Sequence, residues 1–133
     1  MTPVDRIVEF LTSVGQADVD TLADYWTDDI VLELPYADPP QMLEGKAAVC
    51  AYMREALSVF RLRLRVTDVY LCPDRDAVIA EYVSDGHVTT TGNPYQNRYI
   101  GVFKLRGESI CQQREFYNPI PAVRALNVSG SVG

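Results

Sequence analysis

The segment of residues 99–119 alternates in character with a period of two, which predicts a β-hairpin. Its second strand carries Cys111, Gln113, Glu115 and Tyr117 on one face and Ile110, Gln112, Arg114 and Phe116 on the other. One of these faces must look into the protein. The pattern alone leaves open which one does, because both faces carry side chains suited to burial.

Glu115 is the leading candidate for chemistry in this hairpin. If its face looks inward, the carboxylate lies among aromatic and amide groups, where loss of water raises its pKa. Such a group can donate and accept protons near neutral pH. On the opposite assumption, Glu115 is an ordinary solvent-exposed strand residue, and a buried acid can also serve structure alone.

Length and charge restrict the classes of protein that this chain can represent. With 133 residues, of which 47% are hydrophobic, it has the size of one domain, which we place at residues 1–127 with a frayed tail at 128–133. A net charge of −6 argues against nucleic acid or an anionic membrane as partner. We therefore expect a small-molecule partner.

The cysteines and the N-terminal residues indicate a cytoplasmic protein. Cys50, Cys72 and Cys111 are odd in number and widely spaced, which fits reduced thiols better than a disulfide framework or a zinc site. We expect neither secretion nor membrane insertion, because residues 1–5 show no basic region followed by an apolar run and no apolar stretch is long enough to span a bilayer. His87, the single histidine, is placed in an exposed turn, so we predict neither a metal nor a cofactor.

The first half of the chain predicts three helices and one strand. Thr2 and Asp18 are N-cap residues for helices that end near Gly15 and residue 25, with Trp26 on the buried side of the second. A strand at 30–36 and a proline-containing loop at 37–40 follow. After Gly45, the third helix carries an apolar stripe formed by Val49, Tyr52, Met53, Ala56, Leu57 and Phe60.

The second half predicts a run of antiparallel strands. Residues 61–67 alternate arginine or threonine with apolar residues, and strands at 77–85, within 88–105 and at 109–118 follow. Turns are placed at 74–76 and 92–94, and Pro119 and Pro121 are predicted to fray. The whole is an α+β domain, in which a curved antiparallel sheet wraps around three N-terminal helices and leaves an internal pocket.

This order of elements resembles the NTF2-like superfamily, a cystatin-like cone that includes SnoaL-like polyketide cyclases and ketosteroid isomerases. Tyr-Trp-Thr-Asp-Asp-Ile at residues 25–30 and Gly-Lys at 45–46 carry the resemblance at the level of the fold. Tyr-Gln-Asn-Arg-Tyr-Ile at 95–100, Arg-Glu-Phe-Tyr-Asn-Pro-Ile at 114–120 and Arg-Ala-Leu at 124–126 resemble the phenazine biosynthesis A/B (PhzA/PhzB-type) proteins, a dimeric branch.

The resemblance implies a homodimer and an acid/base role for Glu115, which aligns with the glutamate of the branch's Arg-Glu-Phe motif. The branch's helix-3 histidine and serine fall on Tyr52 and Ala56, so identical chemistry on an identical substrate is not expected. The oxyanion donors of ketosteroid isomerases fall on Phe10 and Gly101, which argues against steroid isomerisation.

Further candidate site residues are mainly tyrosines. Tyr52 is either a packed core tyrosine or a donor to a substrate carbonyl, and we assign it to the catalytic set with Glu115. Tyr95, Asn97 and Tyr99 share a strand face that suits either ligand binding or cross-strand pairing. The predicted substrate-binding set is Tyr36, Asp38, Tyr95, Asn97, Tyr99 and Tyr117, although an aspartate before proline is usually turn chemistry.

These observations predict a small cofactor-independent enzyme of secondary metabolism. Glu115 would move protons during isomerisation, cyclisation or condensation of a hydrophobic, carbonyl-bearing molecule. The alternative is a non-catalytic binding or accessory protein of the same fold. Epoxide hydrolysis, which related folds perform, ranks third because the acidic and basic residues that it needs have no evident positions here.

Overall fold

The computed structural model describes residues 1–127, so the tail predicted at 128–133 lies outside the described residues. The elements are α1 (Pro3–Ser13), α2 (Val19–Ala23), β1 (Trp26–Leu34), β2 (Gln41–Glu44), α3 (Lys46–Val59), β3 (Phe60–Cys72), a 3-10 turn (Pro73–Arg75), β4 (Ala77–Val88), β5 (Pro94–Arg106), β6 (Ser109–Tyr117) and α4 (Pro119–Leu126).

The six strands form one sheet in the order β2-β1-β6-β5-β4-β3. The long strands β3 to β6 are antiparallel neighbours, as predicted, and β1, whose direction was not predicted, pairs with β6 in parallel. Parallel neighbours need a long connection, which the elements between β1 and β6 supply. Period-two alternation gives the faces of a strand and not its direction, which is why the sequence does not reveal this pair.

The predicted helix starts are confirmed. The Thr2 hydroxyl accepts a hydrogen bond from the Asp5 amide at 3.0 Å, and the Asp5 carboxylate accepts one from the Thr2 amide at 3.3 Å. The Asp18 carboxylate accepts the Thr21 amide at 2.8 Å. The second helix ends at Ala23, and Trp26 begins β1 instead of belonging to the helix, because the backbone there already bonds to β6.

Two elements were missed by the sequence analysis. β2 follows the prolines of the predicted loop and pairs antiparallel with β1. α4 occupies the segment predicted to fray; Pro119 stands at its first position, where a missing amide costs nothing, and Asn118 caps it by accepting the Ile120 amide at 3.0 Å. β4 also extends through His87, which is exposed on a strand and not in a turn.

The helices cover the concave face of the sheet, and the apolar stripe predicted for the third helix faces that sheet. Val49 is fully buried, whereas Tyr52, Met53, Ala56 and Leu57 are half-buried. Phe60, placed on the same stripe, starts β3 instead. The partial burial of the stripe has a structural cause, because a cavity separates this part of α3 from the sheet. Within residues 1–127, no helix is both long and apolar enough to cross a membrane.

Candidate active site

The cavity between the helices and the concave face has a volume of about 150 Å³. Helices α1 and α3, strands β1, β3, β5 and β6, and the start of α4 contribute to its wall. The lining residues are Phe10, Leu11, Val14, Leu32, Leu34, Tyr52, Met53, Ala56, Leu57, Phe60, Leu62, Leu64, Tyr95, Tyr99, Gln113, Glu115, Tyr117 and Ala122. The wall is therefore mostly apolar and aromatic, as small-molecule sites usually are.

Glu115 looks into this cavity, which answers the question that the alternating pattern left open. It lies on β6 opposite Gly101 of β5. The residue is half-buried, because the cavity reaches its side chain, but protein surrounds the carboxylate closely. Burial raises the pKa of Glu115, and a hydrogen bond from the Tyr82 hydroxyl to Oε1, at 2.5 Å, opposes part of that rise.

Tyr82 is the partner of Glu115 that the sequence analysis missed. It lies on β4, is 1% exposed, and stacks on Tyr99 with ring centroids 5.1 Å apart and ring planes 9° apart. Burial, followed by the charge of Glu115, raises the pKa of Tyr82, so the phenol stays protonated and donates to the carboxylate. The alternation of β4 places Tyr82 on its buried face, but only the strand register brings it to Glu115.

A second set of hydrogen bonds fixes the tyrosines of β5. The Tyr95 and Tyr99 hydroxyls lie 2.9 Å apart, and the Tyr99 hydroxyl donates to Ser84 Oγ at 2.8 Å. The Asn97 amide donates to the Tyr95 hydroxyl at 2.9 Å and to the Asn118 carbonyl at 2.8 Å. These bonds hold the two tyrosine rings in the cavity wall, while Asn97 lies behind them.

Tyr52 and Tyr117 present the phenol groups that remain available in the cavity. Burial raises the pKa of both residues, and the neighbouring charge of Glu115 adds to the effect. Neither hydroxyl has a hydrogen-bond partner among the residues that the structure describes. Two protonated phenols thus lie near the carboxylate, each free to donate to a bound molecule.

The structure brings five of the eight predicted site residues to the cavity wall. These are Tyr52, Tyr95, Tyr99, Glu115 and Tyr117. Asn97 is buried but does not line the cavity, and its amide is used within the protein. Tyr36 and Asp38 are exposed in the loop after β1, and Tyr36 packs against Phe116, 5.3 Å away between ring centroids. Neither residue lines this cavity, and their part in substrate binding stays a prediction.

Comparison with known proteins identifies the family. A family model described as a SnoaL-like domain matches residues 7–113. The chain belongs to the SnoaL-like family. It is 33% identical over 130 residues to the PhzA/B-like protein PA3332 from Pseudomonas aeruginosa, a protein of uncharacterised function, and this match covers 95% of the chain and 91% of that protein.

Two crystal structures show the same architecture. One, from Bacillus subtilis and named as a candidate isomerase, is 31% identical with a TM-score of 0.86, over 94% of this chain and 95% of that one. The other, a phenazine biosynthesis-related protein (phzb2) from Pseudomonas aeruginosa, is 20% identical with a TM-score of 0.79, over 98% and 88%. Both the SnoaL-like, ketosteroid isomerase-like fold and the relation to PhzA/PhzB-type proteins are thereby confirmed.

The wall of the SnoaL-like cavity carries an acidic side chain and no basic side chain among the described residues. Glu115 is the ionisable carboxyl group in its wall, and none of its lining residues is lysine, arginine or histidine. The arginines at 61, 63 and 65 are exposed on β3, on the opposite side of the sheet. In residues 1–127, no group of three or more histidine, cysteine, aspartate and glutamate side chains is arranged to hold a metal ion.

Proposed function

We propose that this SnoaL-like protein is an acid/base enzyme that rearranges a hydrophobic, carbonyl- or imine-bearing small molecule in its cavity. The observation that carries the proposal is the inward-facing Glu115, whose pKa is raised by burial and whose carboxylate borders the cavity. A carboxyl group tuned toward neutral pH can exchange protons with a bound molecule in either direction.

Isomerisation and cyclisation need no reactant besides the substrate, whereas condensation needs a second carbonyl-bearing molecule. In an isomerisation of an unsaturated ketone, the Glu115 carboxylate takes a proton from the carbon between the carbonyl and a C=C bond. The electron pair of that C–H bond forms a new C=C bond, and the π pair of the carbonyl moves to its oxygen. The Glu115 carboxylic acid then returns the proton to the far carbon of the original C=C bond, the carbonyl re-forms, and the double bond ends in conjugation with it. In a cyclisation, the enolate carbon instead attacks a second carbonyl carbon of the same molecule, and the oxygen of that carbonyl takes the proton from the Glu115 carboxylic acid. A condensation would form the same carbon–carbon bond to a second carbonyl-bearing molecule.

Tyr52 and Tyr117 are the proposed donors to the developing oxygen charge. Their phenols remain protonated, because burial raises their pKa, and they have no competing acceptor among the described residues. Preorganised donors of this kind stabilise a transition state without rearranging. Tyr82 has a different role, since it donates to Glu115 itself and positions the carboxylate.

The relatives support the coarser statement that the family contains enzyme-like proteins. The Bacillus subtilis structure is named as a candidate isomerase, and structures of the same fold are named as candidate polyketide cyclases and as an epoxide hydrolase. The cyclase and epoxide hydrolase structures are less than 25% identical to this chain, so their likeness shows the fold alone. The specific reaction therefore rests on the geometry of Glu115.

The proposal is tested by proton exchange, which does not require the natural substrate. A panel of cyclic ketones and enones is incubated with the protein in D₂O, and deuterium incorporation beside the carbonyl is followed by NMR. General acid/base catalysis contributes roughly 10²- to 10⁴-fold, so Glu115→Gln should lower any acceleration by at least ~100-fold. Glu55→Gln, on the exposed side of α3, is the matched control and should retain it.

The alternative is a non-catalytic binding protein. It predicts that ketones bind without exchange above the buffer rate, or that Glu115→Gln and the wild type accelerate exchange equally. Either result would contradict the proposed enzyme and favour the binding function.

A further inference from the structure

The aromatic residues of the cavity form a connected wall around Glu115. Phe60 and Tyr95 lie 4.9 Å apart between ring centroids, the Tyr95 and Tyr99 hydroxyls are hydrogen-bonded, and Tyr99 and Tyr117 lie 6.2 Å apart. Tyr52 and Phe10 add rings from the two helices that cover the sheet. Six aromatic side chains therefore border a cavity that contains one carboxyl group.

The Glu115 carboxylate can accept more hydrogen bonds, and can pair with an opposite charge, beyond its bond with Tyr82. Oε1 accepts the Tyr82 hydroxyl, and this is the single side-chain hydrogen bond to the carboxylate among residues 1–127. No cationic side chain in the cavity wall balances its charge. A buried carboxylate without an opposite charge is costly, and either a proton or a bound cation can relieve that cost.

We propose that the cavity selects organic cations: its ligand carries a protonated amine, iminium or quaternary ammonium group that lies against the Glu115 carboxylate and is surrounded by the aromatic rings. Aromatic faces attract ammonium groups, and the attraction is larger where water is excluded. The apolar residues Met53, Leu57 and Leu64 would contact the substituents of the nitrogen. Anionic molecules are excluded by the same charge.

The inference rests on the proposed function in one respect, because it names the substrate class of the same site. It favours imine over carbonyl chemistry, since an iminium or protonated amine would place a positive charge next to the Glu115 carboxylate. The bound charge also favours the ionised carboxylate, and therefore opposes the rise in pKa that burial causes in the empty cavity.

Shape-matched probes test the inference without any reaction. Choline is compared with its neutral isostere, in which a tert-butyl group replaces the trimethylammonium group, and with the anion tert-butylacetate. Binding to the wild-type protein is measured by isothermal titration calorimetry at several pH values. We expect choline to bind at least ~10-fold more tightly than the neutral isostere, equivalent to ~1.4 kcal/mol, and the anion not to bind measurably.

Variants identify the group responsible for the preference. Glu115→Gln should remove the advantage of choline and leave the neutral isostere within ~3-fold of wild type, whereas Glu55→Gln should leave both unchanged. The positive charge of choline does not change with pH. Its affinity for the protein should therefore rise with pH as Glu115 ionises, whereas the affinity of the neutral isostere should stay constant. The pH series keeps the test decisive if Glu115→Gln folds poorly.

Equal affinity for choline and its neutral isostere, or a preference that survives in Glu115→Gln, would overturn the inference. Failure of the enzyme proposal has a different signature, because deuterium exchange would then be absent while the preference for choline persisted. Conversely, Glu115-dependent exchange with no preference for choline would leave the acid/base proposal in place and remove the cation as ligand.

Discussion

The Tyr82 hydroxyl, from β4, lies beside the backbone of Gly101 on β5, in the space that a side chain at position 101 would occupy. A Cβ built on Gly101 would lie 3.0 Å from the Tyr82 hydroxyl. Gly101 pairs with Ala80 on one side and with Glu115 on the other, so Tyr82 reaches Glu115 diagonally across the space that the glycine leaves open. The absence of one side chain thus leaves room for the one side-chain hydrogen bond that the carboxylate accepts within residues 1–127.

Gly101→Ala should therefore destabilise the protein and disturb Glu115. The added Cβ would also lie 2.5 Å from a ring carbon of Phe103, which is fully buried and cannot move without repacking. Overpacking of this kind typically costs ~1–3 kcal/mol. Urea unfolding measures the loss of stability.

A double-mutant cycle isolates the contact that causes this loss. Phe103→Leu removes the ring that the new methyl group meets, so the double variant should lose less stability than the sum of the two single variants. Additive losses would show that the Phe103 contact does not cause the destabilisation.

Tyr82→Phe should raise the pKa of Glu115 further. The substitution keeps the ring stacked on Tyr99 but removes the hydroxyl that donates to the carboxylate, and such a donor favours the charged form. NMR titration of a carbon-labelled carboxyl group measures the change. Tyr70→Phe is the matched control, because the Tyr70 hydroxyl donates at 2.7 Å to Glu81 on the exposed face. A Glu115 pKa that is unchanged or lowered in Tyr82→Phe would contradict the assigned role of Tyr82.

The sequence could predict which residues share a strand face and that the long strands are antiparallel neighbours, but it could not predict the neighbour of β1 or the residue that meets Glu115 across the sheet. Period-two alternation places Gln113, Glu115 and Tyr117 together on β6, and the structure has them together in the cavity wall. Which strand lies beside β6 depends on register and direction, and these are decided by contacts across the whole sheet. For this reason Tyr82 and the parallel pairing of β1 with β6 were not found.

Side chains that share a face can still have different roles. Asn97 lies on the same face of β5 as Tyr95 and Tyr99, but its side-chain amide donates hydrogen bonds to the Tyr95 hydroxyl and the Asn118 carbonyl, so it is not available to a ligand in the cavity. Tyr36, predicted to bind substrate, is exposed after β1 and packs against Phe116. Local hydrogen bonding and packing of this kind have no periodic signal in the sequence.

Removal of the Tyr99 hydroxyl should cost more stability than removal of the Tyr52 hydroxyl. Tyr99→Phe deprives the buried Tyr95 and Ser84 of a partner, which typically costs ~1–3 kcal/mol. Tyr52→Phe removes a hydroxyl that has no partner among the described residues, so stability should stay within ~0.5 kcal/mol. Thermal and urea unfolding of both variants provide the comparison. Equal losses would show that the Tyr52 hydroxyl also bonds within the protein.

A homodimer through the outer face of the sheet remains a prediction. We propose it because that face carries Ile100, which is 46% exposed, and because the resemblance to the dimeric PhzA/PhzB-type branch implies a homodimer. Ile100→Glu should convert the dimer to monomer in sedimentation equilibrium. Ile120→Glu, at a residue 53% exposed on α4, is the control and should leave it intact. A wild-type protein that sediments as a monomer would contradict the prediction.

The pH dependence of stability should carry the signature of a carboxyl group with a raised pKa. Burial raises the pKa of Glu115 above its ordinary value of 4.5, so the folded protein holds this proton more tightly than the unfolded chain does. The resulting stability is fully present below pH ~4.5 and is lost as the pH rises through the raised pKa.

Exposed aspartates act in the opposite direction. Hydrogen bonds from Thr2, Thr21 and Arg106 lower the pKa of Asp5, Asp18 and Asp29, respectively, so their stabilisation is lost as the pH falls. The free energy of unfolding of Glu115→Gln minus that of the wild type isolates the Glu115 contribution, since the aspartates are common to both.

We expect this difference to shift in favour of Glu115→Gln as the pH rises from ~4.5 toward ~8, because the variant never places a charge in the cavity wall. Urea unfolding at intervals of half a pH unit, with Glu55→Gln as control, measures it. A difference that is flat over this range would mean that Glu115 ionises as readily in the folded protein as in the unfolded chain, and it would remove the basis for assigning Glu115 as the acid.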